Sequence, residues 1–290
     1  MSWKFISSLG CTLLFTTNIA WSQPAAGGSN SVLKVPTPEI ITAARIPDRQ
    51  PHPLLPAIRL AIDEYKHIRE EIRDYSCVMV RRERTDGQLG NHEYIFAKVR
   101  HRRKQDNQIV VPFSVYLKFL KPTEVAGREV LYVEGQNDGE MLVRKGGPRF
   151  GFVTTRLKPE SDVAMTGNRY PITEFGFENL VRRLIQVSKE DLKTDCRVEF
   201  FEDAKINGRN CLGIEVTHPE TSLDTRFHVA RIFLDRELNV PIHYEAYGWP
   251  SDQKQDQPVL LEQYTYTKIQ LNNGFDDADF SPDNPEYGVK

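Results

Sequence analysis

From Ser76 onward the chain alternates apolar and polar residues over most of its length, and a period of two dictates strands with one buried face. Phe113, Val115, Leu117 and Phe119 alternate with Ser114, Tyr116 and Lys118. Strands are predicted over 77–84, 94–100, 113–119, 128–134, 140–144 and 149–157, and again over 197–202, 212–217, 227–235, 241–247 and 259–271. Asp86-Gly87, Lys121-Pro122, Asn137-Asp138-Gly139 and Gly146-Gly147-Pro148 supply the turns between the earlier runs. Two segments carry a helical period instead. Over 52–75 the stripe is Leu55, Ile58, Ile62, Tyr65, Ile68, Ile72 and Tyr75, with Pro53 and Pro56 in the first turn and Asp63, Glu64, Lys66 and Arg69 on the opposite face. Over 177–189 the apolar side holds Phe177, Leu180, Val181, Leu184 and Ile185, with Thr173 in the cap region. The order is helix, six strands, helix, five strands. Helices that do not alternate with strands exclude a parallel α/β sheet. The expected fold class is α+β: one large, curved antiparallel sheet wrapped around one or two helices on its concave face.

The first 22 residues read as a secretory signal peptide. One cation at Lys4 precedes an apolar run from Phe5 to Ala20, and Ala20-Trp21-Ser22 places small residues before a cleavage point ahead of Gln23. The run is shorter than the roughly 20 residues of a spanning helix, and no later stretch is long and apolar enough to cross a membrane. Leu9-Gly10-Cys11 comes too early in the apolar run for a lipobox. Residues 23–50, punctuated by Pro24, Pro36, Pro38 and Pro47, read as a disordered linker, and 51–290 as a single domain. The chain is therefore expected to be exported, periplasmic or cell-envelope. With 38 Lys and Arg against 40 Asp and Glu, it lacks the basic excess of a nucleic-acid binder.

Export permits disulfides, and Cys77, Cys196 and Cys211 remain after cleavage. Residues 198–216 read as a hairpin around Asn207-Gly208. A three-residue loop, Ile206 to Gly208, sets Phe200 opposite Ile214 and Val198 opposite Val216. A two-residue loop would pair Phe200 with Glu215, which mixes the faces. In the preferred register Cys211 faces Asp203 and lies more than about 20 Å from Cys196, beyond the roughly 7 Å between Cα atoms that a disulfide allows. Any intramolecular bond joins Cys77 to one of the others, with Cys77–Cys211 preferred. Three buried free thiols are the alternative.

Motifs for chemistry are sparse. There is no phosphate loop, no Gly-x-Ser-x-Gly and no Cys-x-x-Cys, and no metal or cofactor is expected. Glu64 and His67 stand one helical turn apart and read as a solvated pair. His218, His228 and Asp224 flank one turn and give a weak hydrolase reading. Asp276-Asp277-Ala278-Asp279 reads as a solvated acidic turn, and His101-Arg102-Arg103-Lys104 as a wet loop tip. Tyr247 and Trp249 enter a polar loop and are candidates for a rim or a partner contact.

Several strings carry a family resemblance: Asp74-Tyr75-Ser76-Cys77, Arg81-Arg82-Glu83-Arg84, Gly127 to Gly135, Arg169-Tyr170-Pro171-Ile172-Thr173-Glu174, Trp249-Pro250, Glu262 to Tyr266 and Asn284-Pro285-Glu286-Tyr287. In these the chain resembles the domain of unknown function 1571 family of exported bacterial proteins, which brings no activity with it. The layout is also similar to the LolA-like lipoprotein-carrier superfamily. Those half-barrels open with an amphipathic helix and close with a strand, an Asn-rich turn, an Asp-Phe element and a proline. Here these would be Tyr264 to Leu271, Asn272-Asn273, Asp279-Phe280, and Pro282 or Pro285. That resemblance implies an apolar cavity for acyl chains and supplies no catalytic residue.

The function expected is therefore non-enzymatic binding of a lipid or lipoprotein acyl chain, in a cavity lined by Val115, Leu117, Phe119, Phe200, Ile214, Val216, Ile232 and Leu234. The alternative is an envelope protein-interaction or sensor module with a filled core. A hydrolase is the third reading.

Overall fold

The computed structural model describes residues 51–146, 153–219, 225–250 and 257–289. The segments read as a signal peptide (1–22) and a linker (23–50), together with Cys11 and Asp224, lie outside the described residues. In chain order the elements are α1 (Leu55–Glu71), β1 (Asp74–Thr85), β2 (Gln88–Leu89), β3 (Glu93–Arg100), β4 (Arg103–Gln105), β5 (Gln108–Val111), β6 (Ser114–Lys121), β7 (Glu129–Val133), β8 (Met141–Arg144) and β9 (Thr154–Leu157). There follow α2 (Asp162–Met165), α3 (Phe177–Glu190), β10 (Arg197–Ile206), β11 (Arg209–Thr217), β12 (Val229–Asp235), β13 (Val240–Gly248) and β14 (Val259–Leu271).

The strand order is β10-β11-β12-β13-β14-β1-β3-β6-β7-β8-β9, with β2 added to the end of β1. This makes one twelve-stranded antiparallel sheet that does not close, since β10 and β9 remain edges. The fold is an α+β open half-barrel. The last strand, β14, pairs with the first, β1, so both ends of the domain meet in the middle of the sheet. The β4–β5 ribbon stands apart.

Alternation decides the faces. Cys77, Met79, Ile95, Ala97, Val115, Leu117 and Phe119 all point to the face that carries α1 and α3, where the main core forms with Ile68, Phe177 and Val181. Helix α1 ends earlier than its stripe. The backbone turns extended at Ile72, so Tyr75 is buried from β1 rather than from the helix. The stripe is also rotated: Ile62 is exposed, while Glu64, read as solvated, is buried. Helix α3 is capped by Gly176, not from Thr173, at φ +100°. A Cβ there would sit 2.7 Å from the Tyr75 hydroxyl, which accepts the Phe177 N–H at 3.2 Å. Phe177 then stacks on Tyr75 with ring centroids 4.2 Å apart. Only glycine permits that approach.

The other face is covered by the chain's end. Tyr116, Leu131, Val133 and Leu142 pack against Phe280, Tyr287 and Val289, with Tyr287 stacked on Tyr116 at 3.7 Å. The acidic turn is largely exposed, as expected, and is also tied to the sheet: Asp277 pairs with Arg100 at 2.8 Å and Asp279 with Lys98 at 3.1 Å. The basic run at 101–104 also serves the fold. His101 is buried and donates from Nδ1 to the Ile72 carbonyl at 3.0 Å, and Arg103 donates to the Arg69 carbonyl at 2.8 Å, closing the end of α1.

The 198–216 hairpin has the expected pairs, Phe200 with Ile214 and Val198 with Val216, reached by a different route. Its loop has two residues, Asn207 and Gly208, both with positive φ. A bulge between Phe201 and Ala204 then shifts the register by one, so Cys211 faces Ala204 rather than Asp203. Cys77, Cys196 and Cys211 are free, which corrects the Cys77–Cys211 bond. Those two residues lie four strands apart in the sheet order, roughly 19 Å at the usual strand spacing.

Glu129 fastens the terminal strap. It is fully buried, accepts the Val289 N–H at 3.1 Å and the Gly288 N–H, and pairs with Arg144 at 3.2 Å. Replacing Glu129 by Ala orphans two backbone donors and a guanidinium, so a stability loss of about 3 kcal/mol is expected, read as a lower urea midpoint.

Candidate ligand-binding cleft

Six strands leave apolar side chains on the concave face that the two long helices do not fully cover. Met79, Ile95, Leu117, Phe119, Val130, Val143 and Tyr266 form a floor. The chain from Leu157 to Leu184 crosses above it, contributing Val163, Ala164, Tyr170, Ile172, Phe175 and Leu180. Between floor and roof lies a cleft of about 480 Å³. A second cavity of about 70 Å³ lies between α1, α3 and strands β11 to β13. Leu184 and Tyr244 line both cavities.

The residues expected to line one cavity divide among several places. Leu117 and Phe119 line the large cleft. Ile214, Val216, Ile232 and Leu234 line the small one. Val115 is fully packed in the core and Phe200 is exposed on the edge strand β10, so neither lines a cavity. Tyr247 and Trp249 line neither cavity; Trp249 sits against His228 at 5.6 Å between ring centroids. His218 and His228 do come together. The His228 Nδ1–H donates to the His218 carbonyl at 2.7 Å, while the buried His218 ring lies 3.5 Å from Asp191. Burial pushes the His218 ring below, and the Asp191 carboxyl above, their ordinary ranges, to about 6 for Asp191. Among the described residues no group of three or more His, Cys, Asp or Glu side chains can hold a metal ion.

The roof is held by ions that sequence reading passed over. Glu83 and Glu262 are direct cross-strand partners, both buried, on the concave face. Arg169 bridges them: its backbone N–H donates to Glu83 and its Nε to Glu262, each at 3.0 Å. The Tyr264 hydroxyl donates to Glu83 at 2.6 Å, and the Tyr170 hydroxyl to Glu262 at 3.0 Å. Nearby, Arg81 donates to Glu93 and to Asn168 of the roof, each at 2.7 Å. Arg183 of α3 pairs with Glu174 at 2.9 Å and lies 3.6 Å above the Tyr170 ring. Burial raises the Glu262 carboxyl, with Glu83 adding to the rise and Arg169 opposing it. The only advance signal was the string Arg169 to Glu174, which showed no period and no known chemistry.

Glu64 is the second departure. It lines the small cavity, its Oε1 has no hydrogen-bond partner among the described residues, and burial pushes its carboxyl up to about 7.

The chain belongs to the family described as protein of unknown function (DUF1571), whose profile matches residues 72–289. No curated protein matches it. Similar solved structures include a DUF1329 family protein from Desulfovibrio piger, 13% identical over 80% of this chain and 98% of that one, with a TM-score of 0.37. Lipoprotein LppX of Mycobacterium tuberculosis is 13% identical over 76% of this chain and 98% of its own, at 0.40. A LolA superfamily protein from Nitrosomonas europaea is 10% identical over 77% and 97%, at 0.31.

Two outcomes follow from the buried carboxyls. Arg169→Ala keeps the backbone bond to Glu83 and the Arg81–Glu83 pair but leaves Glu262 without its ion-pair partner, at a cost of about 3 kcal/mol near pH 8. The cost shrinks toward pH 5, because protonation of Glu262 removes the uncompensated charge; thermal melts across pH check this. For Glu64 the folded form binds its proton more tightly than the unfolded form, so its contribution to stability falls as pH rises from 4.5 through about 7. Glu64→Gln is expected to match the parent at pH 5 and exceed it at pH 8 by about 1–3 kcal/mol.

Proposed function

We propose that this DUF1571-family protein is an exported, non-enzymatic binding protein that holds an acyl chain in the cleft between its concave sheet face and the 157–184 roof. One observation carries the reading: a cleft of about 480 Å³ with an apolar floor and an apolar roof, left open after both long helices have docked. Ligand sites are commonly of this size, predominantly apolar and largely pre-formed. A chain lying there gains about 0.8 kcal/mol per buried methylene, so ten methylenes outweigh moderate association costs. The segment 1–22 supports export, residues 23–50 serve as the tether, and 51–290 act as the binding domain. No helix among the described residues is long and apolar enough to cross a membrane. The open cleft counts against the filled-core interaction module, which would need this volume occupied by side chains. A lipid carrier and a lipid-gated sensor share the same cleft, and both begin with chain binding.

The test fills the space from the floor. Leu117→Trp places an indole in the cleft from the centre of β6, where one extra ring has room. At least a tenfold loss of fluorescent fatty-acid binding is expected, with a cooperative melt retained. Unchanged binding in the folded variant, or no binding by the parent together with no lipid extracted from the native protein, refutes the reading.

A further inference from the structure

Each carboxylate in the cleft already has a partner, and one guanidinium does not. Glu83 is engaged by Tyr264 and the Arg169 N–H, Glu262 by Arg169 and Tyr170, and Glu174 by Arg183. Arg81 is satisfied by Glu93 and Asn168. Arg128 also lines the cleft, yet among the described residues its side chain has neither an ion-pair partner nor a hydrogen bond. Its guanidinium lies over the Phe119 ring, 5.2 Å from Cζ to the centroid, and Arg81 lies 5.7 Å from the same ring. Two cations thus share one aromatic ring, and of the two only Arg81 makes a direct ion pair.

The placement is fixed. The Arg128 carbonyl accepts the Phe119 N–H at 2.9 Å, and its own N–H donates to Val125 at 3.0 Å. Val130, the next residue on the same face of β7, belongs to the apolar floor and pairs with Leu117 and Val143. A polar fork therefore stands at the end of a greasy track. Burial and the charge of Arg81 both act against Arg128 carrying its charge, and Glu93 favours it. A guanidinium nevertheless stays protonated in proteins, and a desolvated cation without an anion is costly. A carboxylate or phosphate matches its donor geometry with two parallel hydrogen bonds.

The geometry points to an amphiphile with an anionic head, a carboxylate or a phosphate monoester, whose oxyanion is received by Arg128 while its chain lies along Leu117, Val130 and Val143. This deepens the acyl-chain reading and rests on it.

The test is a head-group series at constant chain length, at pH 7.5 with the mature protein: palmitate, hexadecyl phosphate, hexadecanol and methyl palmitate, with inorganic phosphate and acetate as head-only controls. At least tenfold tighter binding is expected for palmitate or hexadecyl phosphate than for hexadecanol, and no measurable binding of the head-only ions. In Arg128→Leu the palmitate-to-hexadecanol ratio is expected to fall toward one, with Arg128→Lys intermediate. Equal binding of alcohol, ester and acid by the parent overturns the anionic-head inference and leaves the acyl reading standing. An undiminished ratio in Arg128→Leu overturns the role of Arg128. Tight binding of inorganic phosphate alone replaces the amphiphile with a free-oxyanion site. Failure of every long-chain compound removes the acyl reading itself. The parent series decides the head group even if the variants do not fold.

Discussion

A twelve-stranded open sheet exposes two faces, and among the described residues only two long helices are present to cover one of them. Everything else in the structure follows from how the shortage is met. On the convex side an irregular strap, 272–289, covers the middle strands and is held by Glu129 and by ion pairs from Lys98 and Arg100. On the concave side α1 and α3 cover the strands around β13 and β1, and the 157–176 segment bridges the rest. A helix would press a continuous stripe into the floor. An irregular segment instead touches at scattered points and leaves a gap of about 480 Å³.

That roof cannot be held by packing over a gap, so it is held at its margin by charge. Arg169 inserts between Glu83 and Glu262. The arrangement is weak evidence for high stability, since the desolvation of three ions offsets most of their attraction. It is strong evidence for position, because losing one partner strands the others in a buried site. Such a latch defines where the roof sits without filling the space beneath it.

How much of this was legible follows from which signals are local. Period two placed nearly every strand, and the paired faces of Phe200 with Ile214 and Val198 with Val216 could be reasoned out from side chains alone. The bulge that delivers that register was harder to place: Phe201 to Ala204 has no glycine, and the alternation breaks only as Phe200-Phe201 followed by Glu202-Asp203, which does not say which strand takes the extra residue. Glu64 and Ile62 were misassigned for a related reason. A helix of mixed polarity has several nearly equivalent stripes, and the choice falls to whatever α3 and the sheet present. The site was legible where it is part of the sheet, at Leu117 and Phe119, and hidden where it is part of the roof. Arg169 and Tyr170 act through partners nearly a hundred residues distant, and no spacing records that. Val115 shows the limit of face arithmetic: it shares a face with Leu117, yet lies where the core packs solid.

The two cavities extend the same logic. Leu184 and Tyr244 line both, so these two side chains are the partition between a large cleft and a small apolar space that ends at Glu64. Leu184 sits only partly buried on α3, with freedom that the fully packed Phe177 and Val181 lack. The Leu184 side chain carries no polar atom, so no hydrogen bond fixes it there. Moving Tyr244 is costlier, because it stacks on Tyr264, which holds Glu83.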